Sequence, residues 1–109
     1  MKTNKEITIK KDGIFEKTSR FSWVNFELSD KRIGKARICI SGSSLRINSI
    51  TIFPEFERNG YAQSVIKLFK KHYEVILADR VRNTAKGFWG KMGFVSDCSG
   101  NYIWRKENQ

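Results

Sequence analysis

Residues 50–73 read ITIFPEFERNGYAQSVIKLFKKHY, and this stretch decides the fold. Ile50 and Ile52 alternate with Thr51 and Phe53, the two-residue period of a strand. After Pro54 and a polar loop around Gly60, the residues Ala62, Val65, Ile66, Phe69 and Tyr73 recur at helical spacing and predict one apolar helix face. A glycine at the hand-over lets backbone N–H groups approach a ligand closely, and the first turn of a helix leaves its amides unpaired. Those amides and the helix dipole suit an anion, so phosphate is the expected ligand.

Upstream, the chain predicts an antiparallel meander. Glu6–Lys10 alternates Ile7 and Ile9 with polar residues as a first strand, and Asp12-Gly13 opens a polar stretch that runs to Arg20. Phe21–Leu28 is a second strand with Val24, Phe26 and Leu28 on one face and Phe21 and Trp23 on the other. A turn at Ser29-Asp30-Lys31 leads to a third strand, Arg32–Ile40, with Ala36, Ile38 and Ile40 facing inward. A second turn at residues 41–44 leads to a fourth strand from Leu45. Leu45 and Ile47 have one parity along that strand, Ile50 and Ile52 the other. One extruded residue reconciles them, which predicts a β-bulge near Asn48-Ser49, whereas a central strand buried on both faces would need none.

Downstream, Glu74–Ala78 is a short apolar fifth strand, and strand–helix–strand predicts a parallel crossover. Asn83 is the expected N-cap of a second helix, where Ala85, Phe88, Trp89 and Met92 keep helical spacing and Gly93 stops it. Phe94–Arg105 then reads as a hairpin around Ser99-Gly100-Asn101.

The 109 residues suffice for one domain, 1–109, and not for two. An apolar share of 39%, with eight Phe and three Trp, provides a core and argues against disorder. The formal charge of +10 suits an anionic partner: a CoA-type cofactor, nucleic acid or an acidic acceptor. It equally suits a solvated basic surface. Cys39 and Cys98 form neither a disulfide framework nor a metal pattern, and His72 is the sole histidine, so no metal site is expected. No apolar run approaches the ~20 residues that span a bilayer, and MKTNKEITIKK lacks the apolar region of a signal peptide. The expectation is a cytoplasmic protein without membrane contact.

Two stretches carry a family resemblance. Glu57-Arg58-Asn59-Gly60-Tyr61-Ala62 resembles the Gln/Arg-x-x-Gly-x-Gly/Ala signature of the GNAT superfamily of N-acetyltransferases, with Glu57 where Gln or Arg is usual. Ala85-Lys86-Gly87-Phe88-Trp89-Gly90-Lys91-Met92-Gly93-Phe94 is similar to the family's Ala-x-x-Phe-Tyr-x-x-x-Gly-Phe, with Trp89 in place of the Tyr. Arg82 stands where the family often has an Asn, which is shifted here to Asn83. The resemblance implies an α+β fold: a mixed, mostly antiparallel sheet with a bulged fourth strand that splays from the fifth, and two main helices. The family's usual first two helices do not fit in Lys11–Arg20. An open acceptor face, or one completed by a partner chain or a bulky substrate, is expected.

The resemblance also implies an acetyl-CoA-dependent N-acetyltransferase in which an amine attacks the thioester directly. The pyrophosphate would rest on Arg58, Asn59, Gly60, Tyr61, Ala62 and Gln63, with pantetheine beside Ile50, Thr51 and Ile52. Asn83 and Trp89 would complete the cofactor contacts. The catalytic acid and base stay unassigned, because indole cannot donate a proton as phenol does. Glu55, Glu74 and Asp79 are candidate proton acceptors that equally read as solvated surface charges, Tyr61 and Tyr102 candidate donors, and Cys98 a candidate nucleophile or a small buried residue. The alternative is a non-catalytic basic module on the same scaffold, binding nucleic acid or an acidic partner. The amine acceptor (a protein among the options), the oligomeric state (a homodimer included) and nucleic-acid binding stay open.

Overall fold

The computed structural model describes residues 6–11 and 21–106. The polar stretch after Lys11, with its Asp12-Gly13 turn, lies outside the described residues. Seven strands form one sheet: β1 (Ile7–Lys11), β2 (Ser22–Leu28), β3 (Lys31–Ser41), β4 (Ser44–Ile52), β5 (Val75–Ala78), β6 (Val95–Ser96) and β7 (Tyr102–Arg105). Their order across the sheet is β1-β2-β3-β4-β5-β7-β6. The first four form the predicted meander, and two-residue turns at Ser29-Asp30 and at Gly42 join β2 to β3 and β3 to β4. β4 and β5 are parallel, as a helical crossover requires, and β7 returns antiparallel to β5.

The crossover is α1 (Tyr61–His72), which buries Val65, Ile66 and Phe69. Phe69 meets Phe26 of β2 edge-on, with ring centroids 6.3 Å apart. Val24, Phe26, Ile33, Leu45, Ile66 and Ile76 are buried in the same cluster. Each such side chain contributes roughly 1.5–3 kcal/mol through burial, so one helix face and one sheet face supply most of the core. Ile40 departs from expectation. It shares the parity of Ile38 but is 42% exposed, at the hairpin end of β3.

The second helix, α2 (Lys86–Lys91), is shorter than its apolar spacing suggests. Asn83 does not cap it. Residues Asn83–Ala85 form a separate 3-10 turn, closed by the Ala85 N–H on the Arg82 carbonyl, and Ala85 is the residue that precedes α2. The tighter turn uses the amide groups that a capping side chain would otherwise satisfy. Lys70 ties the two helices together on one face of the sheet. Its ammonium donates to the Met92 carbonyl and lies over the rings of Phe94 and Trp104. Burial, and then the neighbouring Lys67, hold its pKa below the ordinary lysine value.

The predicted bulge is present. Ile38 pairs with Ile47 and Arg37 with Ser49, so Asn48 is the extra residue. Leu45, Ile47, Ile50 and Ile52 can therefore all face the helices. A second irregularity, which nothing in the parity announced, shifts the β2–β3 register at Ile33. Beside it, β3 passes so close to β4 that a Cβ on Gly34 would stand 2.3 Å from the Thr51 carbonyl oxygen.

Candidate active site

The bulge makes the cavity. Pairing between β4 and β5 ends at Ile47–Ala78, and the last link is the Asp79 N–H on the Ile47 carbonyl at 2.9 Å. Beyond it β5 ends and β4 carries its bulge, so Asn48–Ile52 have no paired strand on that side among the described residues. The gap is a slot of about 490 Å3, lined on one wall by Ile47–Thr51 and on the other by Ala78–Arg82, with Ala85 and Trp89 as its floor.

The slot adjoins a groove of about 340 Å3 that leads to the start of α1. Ile50, Ile52, Phe56, Phe88 and Trp89 give it apolar walls, and Glu57, Arg58, Tyr61 and Ala62 close its far end. Gly60 stands just before the helix at φ 75° and ψ 12°, in the left-handed region where glycine is least strained. No atom lies within 4 Å of where its Cβ would be, so the backbone angle and not crowding calls for glycine. The first helical hydrogen bond runs from the Ser64 N–H to the Gly60 carbonyl. The N–H groups of Tyr61, Ala62 and Gln63 are thus the unpaired donors of the first turn among the described residues, and Arg58 lines the groove at the same end. Asn59 serves the loop itself: its amide donates to the carbonyls of Phe56 and Glu57.

Of the residues singled out in the sequence, Ile50, Thr51, Ile52, Arg58, Tyr61, Ala62 and Trp89 line the slot or the groove. Asn59, Gly60 and Gln63 lie in the loop and first helical turn at its end, and Asn83 lines neither cavity. Arg82 takes the wall position instead. Trp89 is only 5% exposed, packed edge-on against Phe94 at 4.9 Å and Phe88 at 5.2 Å. It is a core aromatic and a wall of both cavities at once.

Of the three candidate carboxylates, Asp79 alone lines the slot. Asn48 Nδ2 donates to Asp79 Oδ2 at 3.1 Å, which pins the carboxylate across the mouth of the split. The Asn48 Oδ1 is buried and has no partner among the described residues. Glu74 is occupied elsewhere, accepting from Ser43 Oγ at 3.2 Å, and Glu55 lies exposed in the 3-10 turn Pro54–Phe56. Tyr102 is half-buried on β7, and Cys98 is an exposed free thiol in the hairpin loop. The pairing of Asn48 with Asp79 was not visible in the sequence, where 31 residues separate the two.

No protein-family model matches the chain. An uncharacterised N-acetyltransferase of Bacillus mycoides is 30% identical over 80 residues, which is 71% of this chain and 50% of the relative. The chain thus spans about half the length of that curated relative. Among solved structures, YhhK from Escherichia coli, bound to coenzyme A, superposes with a TM-score of 0.71 at 13% identity, over 92% of this chain and 98% of that one. The Bacillus subtilis N-acetyltransferase YlbP, in complex with coenzyme A, gives 0.62 at 17% identity over 78% and 68%. A GNAT-family protein from Desulfovibrio desulfuricans gives 0.55 at 14% over 79% and 69%. The shared fold and the match in sequence to an N-acetyltransferase bear out the resemblance to the GNAT superfamily.

Proposed function

We propose that the protein is an acetyl-CoA-dependent N-acetyltransferase acting on an amine not yet identified. The observation that carries the reading is the junction of two features: a strand split by a bulge, and a helix start with unpaired amides at the end of the same groove. Arg58 and the N–H groups of Tyr61, Ala62 and Gln63 would hold the pyrophosphate. The apolar groove through Ile50, Ile52, Phe88 and Trp89 fits the pantetheine arm, whose amides would pair with β4 where β5 has left it. The neighbours solved with coenzyme A support the same choice of donor.

In this reading the acceptor enters the slot beside Asp79. Asn48 acts through Asp79: its Oδ1 is buried, and its Nδ2 orients the Asp79 carboxylate toward the amine. As the C–N bond forms and the C–S bond breaks, the ammonium proton passes to the Asp79 carboxylate, and the departing thiolate takes its proton from water. Peptide N–H groups of β4 beyond the bulge stabilise the charge that develops on the carbonyl oxygen. Trp89 supplies no proton; it keeps the groove dry.

A thermal-shift titration tests the donor site, with acetyl-CoA and free CoA side by side. At ~100 times its dissociation constant a ligand stabilises the fold by roughly 2.7 kcal/mol, several degrees in a domain of this size. The shift should vanish in Gly60→Glu. No shift at millimolar acetyl-CoA sinks the enzyme reading and favours the non-catalytic basic module.

A further inference from the structure

We infer that the sheet face opposite the helices docks a single-stranded nucleic acid. Among the described residues both helices pack on one face, with Val24, Phe26, Ile38 and Ile76. Alternation sends Trp23, Lys35, Arg37 and Arg46 to the other. In register, Trp23 stands opposite Arg37, and Arg37 opposite Ser49; Cys39 stands opposite Arg46, and Arg46 opposite Leu77. Arg105 extends the same face on β7. Glu27 is the one carboxylate that β2 to β7 contribute to it, and Lys10 neutralises it at 3.0 Å. A surface of this sign attracts a polyanion.

The aromatic rings narrow the class. Trp23 is 43% exposed, with Lys35 Nζ 5.2 Å from its ring centroid. The Arg37 guanidinium lies 4.2 Å from the ring centroid of Phe21. Rings interleaved with cations on an open sheet offer stacking platforms to unstacked bases and charges to the adjoining phosphates. A duplex hides its bases from such a flat surface, and an acidic peptide would use the cations but gain nothing from Trp23. Ser49 and Thr51 belong to this face and also line the slot, so a bound strand lies at the slot's mouth. The inference goes beyond the proposed activity and does not depend on it.

The full-length protein should be titrated into labelled oligo-dT and oligo-rU, a duplex of equal length, and polyglutamate, over a range of salt. The single strands are expected to bind tightest. Trp23→Ala should weaken them about tenfold or more, given what stacking on one aromatic contributes, while polyglutamate binding stays unchanged. Lys35→Gln and Arg37→Gln should each flatten the slope of log affinity against log salt by about 0.7. Trp89 and Trp104 are buried, so quenching on binding should come from Trp23 and disappear in Trp23→Ala. Unchanged single-strand affinity in Trp23→Ala, or equal binding of duplex or polyglutamate, overturns the proposal. Thermal melts with acetyl-CoA on the same variants verify folding and read the donor site separately. A missing shift with intact strand binding removes only the acetyltransferase reading.

Discussion

At the scale of the residue, Asp79 carries the heaviest assignment. It is the carboxylate on the slot wall, and Asn48 holds it in place. Asp79→Asn should leave the thermal shift with acetyl-CoA intact. It should lower CoA-thiol release with a responsive amine by about 10²–10⁴-fold, the usual contribution of a positioned base. An undiminished rate would remove Asp79 from the mechanism. Asp97 makes a second prediction, outside the site. The Asn101 side-chain amide, and then the Ser99 N–H, hold its pKa below the ordinary carboxylate value. A depressed folded pKa means that the loop's hydrogen bonds add stability above the unfolded carboxylate pKa. That contribution is lost as pH falls through the lower, folded value. The Ser99 and Asn101 amide resonances should therefore titrate together, with a midpoint below the ordinary aspartate value; a midpoint at or above it would refute the linkage. The Asp79 assignment could not be read from the chain, since Asn48 stands 31 residues away and meets it only in the fold; the partners of Asp97 lie two and four residues on, in its own loop.

At the scale of the element, β4 was the most legible part of the molecule. Its parity change at Asn48-Ser49 required an extra residue, because a regular strand would turn either Leu45 and Ile47 or Ile50 and Ile52 away from the helices. The bulge followed from side-chain alternation, and the parallel crossover from a helix set between two strands. Asn83 was misread because a residue type that favours a helix start also favours the turn before one. Deleting Asn48 tests the bulge directly. The pairs Ile38–Ile47 and Arg37–Ser49 survive the deletion, so β4 becomes a regular strand with its apolar residues still inward. The protein should fold, and the straightened strand should run on beside the segment that follows β5, residues 79–82, and close the slot. Acetyl-CoA should then give no thermal shift while circular dichroism stays close to that of the parent. A retained shift would show that the split does not depend on the bulge.

At the scale of the whole molecule, the strand order of the meander was open to a sequence reading because short polar turns leave antiparallel pairing as the natural outcome. Which face carries no helix among the described residues was not, because β2 has apolar residues on both faces: Val24 and Phe26 on one, Phe21 and Trp23 on the other. Only the positions of both helices decide it. The split in the sheet has a further consequence for the molecule in solution. Past Ile47 one side of β4 is an interior edge, a row of peptide donors and acceptors with no strand beside it among the described residues. Such an edge is a template for any extended chain, including a loosened segment of a neighbouring copy. The ligand that fills the slot would then also act as a guard against self-association. Light scattering on warming should rise sooner in the ligand-free protein than with CoA at equal distance below each sample's own melting point, and the bulge-deleted protein should scatter little in either case.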